Sequence, residues 1–187
     1  MAVTIEFVNA KLQSLTEGEA DFEAVFQAHW SRVYAVIFRL VGDHAEAEDL
    51  ALEVFWRYHR KPPREGGNPA GWLYRVATNL GYNALRGRKR REHYEHEAGR
   101  QALQSGALPD PALEAERADE RSRVRRTLAS LKSRSAQLLA LRYSGLSYAE
   151  IAAAIELPQA SVGKLLARAE AEFEARYLEI EEDAHAL

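Results

Sequence analysis

Phe22, Val25, Phe26, Val33, Ile37, Phe38 and Val41 recur at spacings of three and four, the pattern of a helix with one buried face. The Gly42-Asp43 pair ends that helix, and Asp43 is placed to cap the next, with Glu46 three residues on in capping-box position. The second helix turns Leu50, Val54 and Phe55 inward. Residues 61–69, KPPREGGNP, read as a loop, because Pro62, Pro63, Gly66 and Gly67 do not continue a helix. Asn68 then caps a third helix with Pro69 at its first position. That helix runs to residue 90 or beyond, with Trp72, Leu73, Val76, Leu80 and Leu85 as its apolar positions. Periodicity fades over 99–112, GRQALQSGALPDPA, where Gly, Ser and Pro concentrate as in a linker. It resumes near 113 with Val124, Leu128 and Leu131, breaks at KSRS, and continues in AQLLALRY.

No stretch alternates long enough to suggest a sheet, and no internal repeat is visible. The expected fold is all-α: two small helical domains joined by a flexible linker. The expected boundaries are a leader at 1–20, a first domain at 21–97, a linker at 98–112, a second domain at 113–178 and an acidic tail at 179–187.

Residues 145–168, GLSYAEIAAAIELPQASVGKLLAR, hold two helices around a tight break. Ser147 and Glu150 make an S-x-x-E capping box. Ile151 and Ile155 share a face, and Ala152, Ala153 and Ala154 permit close approach of another helix. Pro158 is suited to start the second helix, which puts Val162, Leu165, Leu166 and Ala169 on one side. Gln159, Ser161, Lys164 and Arg168 fall largely on the other. This is the helix-turn-helix pattern, in which the second helix buries one flank and offers polar or basic groups to the major groove. The alternative is a helical hairpin with no ligand.

Charge changes the picture most. The net charge of −3 conceals a stripe at 57–91 with 10 basic residues and 1 acidic, between acidic ends. RGRKRR places five positive charges within residues 86–91. Such a stripe is an electrostatic footprint for nucleic acid, the bland alternative being a solvated helix face. Trp56, Tyr58, Trp72, Tyr74 and Tyr82 interleave with it, offering base-stacking faces, although several must be core and Trp72 shares the apolar face with Val76. The chain of 187 residues has no cysteine, which excludes disulfides and thiolate metal sites and suits a reducing cytosol. No apolar run is long enough to span a bilayer, and the N-terminus does not read as a secretory signal. His93 and His96 stand beside Glu92, Glu95 and Glu97, where a charged helix end is a simpler reading than a metal site. No phosphate loop or nucleophile triad is present, so no enzyme, cofactor or metal is expected.

Together these segments resemble the extracytoplasmic-function (ECF) sigma factors of bacterial RNA polymerase. AEAEDLALEVFWRYHR (45–60) is similar to the family helix that docks on the clamp helices of the largest catalytic polymerase subunit. NPAGWLYRVATNLGYNALRGRKRR (68–91) is similar to the stretch that holds the single-stranded −10 element, and residues 110–173 resemble the −35-binding domain. The resemblance implies a cytoplasmic initiation factor whose partners are core RNA polymerase, promoter DNA and, commonly, an anti-sigma factor. It implies polymerase contacts from Glu48, Asp49, Glu53 and Arg57. It implies −10 contacts from Lys61, Arg64, Asn68, Arg75, Asn79, Arg86, Arg88, Lys89, Arg90 and Arg91, with a flipped base held by the 61–68 loop. It implies −35 contacts from Gln159, Ser161, Gly163, Lys164, Ala167 and Arg168. Leu52 stands where Gln is usual, Glu156 where the turn Gly is usual, and Gly163 and Leu165 where basic residues are common. Rival readings are a helix-turn-helix regulator acting without polymerase, and a polymerase adaptor that no longer initiates.

Overall fold

Local capping chemistry fixes where the helices begin. In the computed structural model, which describes residues 2–63, 67–97 and 111–185 (side chains at 21–63, 67–91 and 119–182), α1 spans Ala2–Val41. It stops at Gly42, whose φ of +71° is a left-handed turn and whose missing Cβ leaves room for the Arg125 side chain. The Asp43 carboxylate accepts the Glu46 N–H at 2.8 Å, so α2 starts at once as His44–Arg60. Asn68 Oδ1 accepts the Gly71 N–H at 3.0 Å and opens α3, Pro69–Glu97. Three of the four remaining helices are α4 (Pro111–Ser130), α5 (Ser133–Tyr143) and α6 (Tyr148–Ile155). Last comes α7 (Gln159–His185), which carries residues 179–185 of the expected acidic tail in its final turns. The described residues hold no strand, and no helix among them is long and apolar enough to cross a membrane.

α2 and α3 run antiparallel: Tyr58 meets Trp72 with ring centroids 5.8 Å apart, while Arg88 bonds Glu46 at the other end. Val33, Val36, Ile37, Phe55, Leu73 and Tyr74 form the centre of this three-helix half. Each fully buried side chain of this size contributes about 1.5–3 kcal/mol.

That core does not stop at the linker. Leu138 and Leu141 of α5, Leu146 and Ile151, and Val162 and Leu166 of α7 belong to the same buried cluster. A second cluster joins Leu40, Tyr82 and Leu85 from the first half to Leu128, Leu131, Ala136, Leu139 and Ala169 from the second. The two helical domains therefore share their apolar interior, a relationship that helix periodicity does not reveal.

Candidate nucleic-acid interface

At about 100° per residue, Gly71, Arg75, Asn79, Tyr82, Arg86, Lys89 and Arg90 fall on one side of α3, within about 60° of a common direction. Here the basic residues gather into a row. Arg86, Lys89, Arg90 and Arg91 are exposed, but Arg91 stands about 150° round the helix from the stripe. Lys61 and Asn68 are exposed at the opposite end, beside the 61–68 loop; Arg64 lies outside the described residues. The stripe from Asn68 to Arg90 is thus about 33 Å long, enough to follow several nucleotides of a single strand.

The first half of this stripe meets the C-terminal half: Gly71 and Tyr82 are buried there, Arg75 is half-buried and Asn79 stays exposed. Gly71 packs so closely on Ala153 of α6 that a Cβ built on it would stand 3.1 Å from the Ala153 Cβ. Arg75 pairs with Glu156. Asn79 Oδ1 accepts the Gln137 amide at 2.6 Å, and the buried Tyr82 hydroxyl donates to the Leu131 carbonyl at 2.9 Å. Positions 71, 75, 79 and 82 make one ridge, and every one touches the C-terminal half.

Arg88, expected in the DNA set, has other partners here. It projects from the opposite side of α3, where it donates to the Val41 carbonyl at 2.9 Å and pairs with Glu46. Its guanidinium closes the end of α1 and ties three helices together in this arrangement. The expected aromatic platform also contracts. Tyr58, Tyr74 and Tyr82 are buried and Trp72 is half-buried, which leaves Trp56, 52% exposed. The sequence displays five aromatics among cations, but only helix phase distinguishes the one that reaches solvent.

Trp56 belongs to a second surface. On α2 it stands one turn after Leu52, itself 49% exposed, with Glu48, Asp49, Glu53 and Arg60 around them. The Arg60 guanidinium sits 4.7 Å from the Trp56 ring centroid. Arg57 is held to Glu53 at 2.7 Å. An apolar pair ringed by charges has the composition of a protein-docking patch. Leu52, where a polar residue was expected, supplies part of its centre.

The helix-turn-helix forms as its caps require. Ser147 and Glu150 complete the reciprocal box, and Val162, Leu166 and Ala169 are buried. Gln159, Lys164, Ala167 and Arg168 are exposed, and Ser161 and Gly163 half-exposed, on the free side of α7. A further pair adjoins them: the Tyr148 ring lies over Gly163 and takes the Arg142 guanidinium at 5.5 Å. An aromatic just after the Ser147 cap was the available signal for it. Glu156 ends α6 in the left-handed region, φ +53°, the one such non-glycine among the described residues. A side chain there costs about 1–2 kcal/mol that glycine avoids.

Beside the ridge on α3 lies a polar knot. The Arg32 guanidinium reaches Glu150 at 2.5 Å, and the His29 Nδ1 lies 3.2 Å from the Tyr74 hydroxyl. The Ser147 backbone and hydroxyl donors, with Arg32 beyond them, hold the Glu150 carboxyl below its usual range. Burial, reinforced by Arg32, pushes the His29 imidazole down, and burial raises the Tyr74 phenol. The side chains of 92–97, including His93 and His96, lie outside the described residues; among those described, no cluster suits a metal ion.

The sigma-70 region 2 family model matches residues 25–91 and the sigma-70 region 4 model matches 121–173. The chain is 31% identical over 159 residues to the RNA polymerase sigma-H factor of Pseudomonas aeruginosa, covering 79% of this chain and 81% of that one. It is 25% identical over 167 residues to the ECF RNA polymerase sigma factor SigW of Bacillus subtilis, covering 83% and 88%. Its fold is similar to CnrH solved with the cytosolic domain of CnrY, with a TM-score of 0.55 and 20% identity over 88% of this chain and 92% of that one. It is also similar to the sigma factor RpoE of Bartonella quintana solved with the anti-sigma factor NepR, with a TM-score of 0.52 and 20% identity over 83% and 96%.

Proposed function

Because the chain belongs to the ECF sigma factors of RNA polymerase, a family of transcription initiation factors, we propose a division of that work among its surfaces. The α2 patch around Leu52 and Trp56, with Glu48, Asp49, Glu53 and Arg57, docks on core RNA polymerase. The apolar pair supplies the grip and the charges steer the encounter. The α3 stripe holds the melted −10 strand: Arg75, Arg86, Lys89, Arg90 and Arg91 face phosphates, Asn79 faces a base, and Lys61, Asn68 and the adjoining loop receive an extruded one. The free side of α7 reads the −35 duplex through Gln159, Ser161, Gly163, Lys164, Ala167 and Arg168. The proposed units are 21–97 and 113–178, with the linker 98–112 between them.

The chemistry of RNA synthesis belongs to the polymerase, and the protein acts in the bacterial cytoplasm as a non-enzymatic factor. The anti-sigma partners of the two fold neighbours support regulation of this chain by a protein of that class. The observation that carries the reading is the α3 stripe itself, an ordered row of cations and an amide within the region 2 match. Run-off transcription with core polymerase and a pool of genomic promoter fragments tests it. Chain-dependent transcripts from a shared promoter pattern are expected. Polymerase binding without transcripts would make the chain an adaptor, and DNA binding without polymerase binding a conventional regulator.

A further inference from the structure

Two basic side chains outside the contacts proposed above stand beside the α3 stripe. Lys132 and Arg134 lie at the turn from α4 into α5, and both are exposed. Two hydrogen bonds fix this corner against α3. The Tyr82 hydroxyl donates to the Leu131 carbonyl at 2.9 Å, and the Gln137 amide donates to Asn79 Oδ1 at 2.6 Å. Lys132 follows Leu131 in the chain, and Arg134 lies one turn before Gln137 on α5. Both therefore sit along the stripe, whose Arg86 guanidinium stands 6.0 Å from the Tyr82 ring centroid. Lys89 and Arg90 continue the exposed row on the same side of α3.

None of these five cations has an ion-pair partner among the described residues, whereas Arg32, Arg57, Arg75, Arg88, Arg123 and Arg176 each meet a carboxylate. Glu172, the acid that acts on Tyr82, is half-buried and accepts the Ser135 hydroxyl at 2.7 Å. α5 opens at this corner with no side-chain cap and no acid in its first turn, so its dipole adds to the positive field. Like charges gathered without counter-charge repel one another, and a polyanion relieves that repulsion. The face lacks a stacking platform. The exposed large apolar side chains are Leu52, Trp56, Tyr143, Tyr148 and Leu178, and none stands on α3 or in the first turn of α5. Charge without an exposed ring suits the phosphate rows of a duplex better than the unpaired bases of a single strand.

We propose that the free chain holds duplex DNA, without polymerase and without sequence preference, on a basic face built by both halves: Arg86, Lys89 and Arg90 of α3 with Lys132 and Arg134 at the α4–α5 corner. Three of the cations come from the first half and two from the second, so the face exists where the halves meet. The α2 patch stays exposed in the same arrangement, which leaves the DNA-bound chain open to a protein partner. The inference goes beyond the promoter contacts of the proposed function and does not depend on them.

The test is fluorescence anisotropy of the full chain with a labelled random-sequence duplex of about 20 base pairs and no polymerase. Five phosphate contacts predict a slope of log affinity against log salt of about −4.5, a loss of about 500-fold between roughly 50 and 200 mM salt. Lys132→Ala and Arg134→Ala should each weaken binding at least threefold and reduce the slope by about 1. Arg86→Ala/Lys89→Ala/Arg90→Ala should reduce it by about 3. All five side chains are exposed, so the variants should fold, with circular dichroism as the check. A single strand of the same length should bind at least threefold more weakly. Undiminished binding by a folded Lys132→Ala/Arg134→Ala variant would overturn the inference, as would a single strand bound as tightly as the duplex. Binding abolished by Lys164→Ala/Arg168→Ala, with the α3 and corner variants unaffected, would move the contact to α7 and also overturn it.

Discussion

Glu156 reaches Arg75 across the seam between the two halves from a backbone φ of +53°, joining the turn of the helix-turn-helix to the middle of the basic helix α3. One residue thus links two features that sequence alone kept apart: an unusual turn residue and a cation assigned to DNA.

For stability, the two consequences of Glu156→Gly oppose each other. Relief of the left-handed strain gains about 1–2 kcal/mol. Loss of an ion pair whose side chains are 36% and 72% exposed removes at most about 1 kcal/mol. The unfolding free energy of the variant in urea should therefore stay within about 2 kcal/mol of the parent. A loss of several kcal/mol would mean that Glu156 holds the fold and not merely the seam.

Tyr82→Phe tests the buried part of the seam. It removes the hydroxyl that donates to the Leu131 carbonyl at 2.9 Å and leaves that acceptor without this partner. The expected cost is about 1–3 kcal/mol in urea unfolding. A change below about 0.5 kcal/mol would show that the two halves are not coupled there.

Trp56→Ala separates docking from folding. The ring is half exposed, so unfolding should shift by less than about 1 kcal/mol. Affinity for core polymerase should fall by at least tenfold, the scale of an interface anchor. Equal affinity of variant and parent in a fluorescence titration would remove α2 from the docking surface.

How much of this was legible varies with the range of the interaction. The caps at Asp43, Asn68 and Ser147 were readable because each is a side chain bonded to backbone three residues away. The helix-turn-helix followed from those caps, and the alanines at 152–154 correctly announced a close helix neighbour, which is α3 at Gly71. Its identity was not readable, since periodicity marks a buried face without naming what covers it. Arg88 went to the DNA set because RGRKRR looks uniform in one dimension, yet helix phase turns that residue toward Glu46 and Val41. Tyr74 and Tyr82 looked like stacking faces for the same reason and are core.

Lys164→Ala and Arg168→Ala should each weaken promoter-specific initiation more than binding to core polymerase. If each contacts a phosphate, the slope of log affinity against log salt for −35 duplex should fall by about 1 per substitution. Both side chains are exposed on α7, so the fold should be unaffected. Equal loss of polymerase binding would contradict the division of labour between α2 and α7.

Acid should loosen the structure in a defined window. Folding lowers the His29 pKa below its ordinary 6.5, chiefly by burial and then by Arg32. As pH falls through 6.5 the unfolded chain takes up the proton first, so the neutral-histidine contribution is present above 6.5 and is lost as pH drops towards the lowered folded value. The thermal midpoint should decline between pH 7.5 and 5.5, and His29→Gln should flatten that decline. Glu150, lowered from 4.5 mainly by the Ser147 donors, contributes above 4.5 and is lost in a separate window below it. An unchanged slope in His29→Gln would assign the first window to another group.

The most direct measurement of the central claim is start-site mapping with core polymerase, genomic DNA and either the parent chain or an Arg86→Ala/Lys89→Ala/Arg90→Ala variant. The account predicts chain-dependent start sites sharing paired −10 and −35 elements, with the variant still bound to polymerase but reduced at least tenfold in transcripts. Start sites that persist undiminished in the variant, or none at all with a parent chain that binds polymerase, would contradict it.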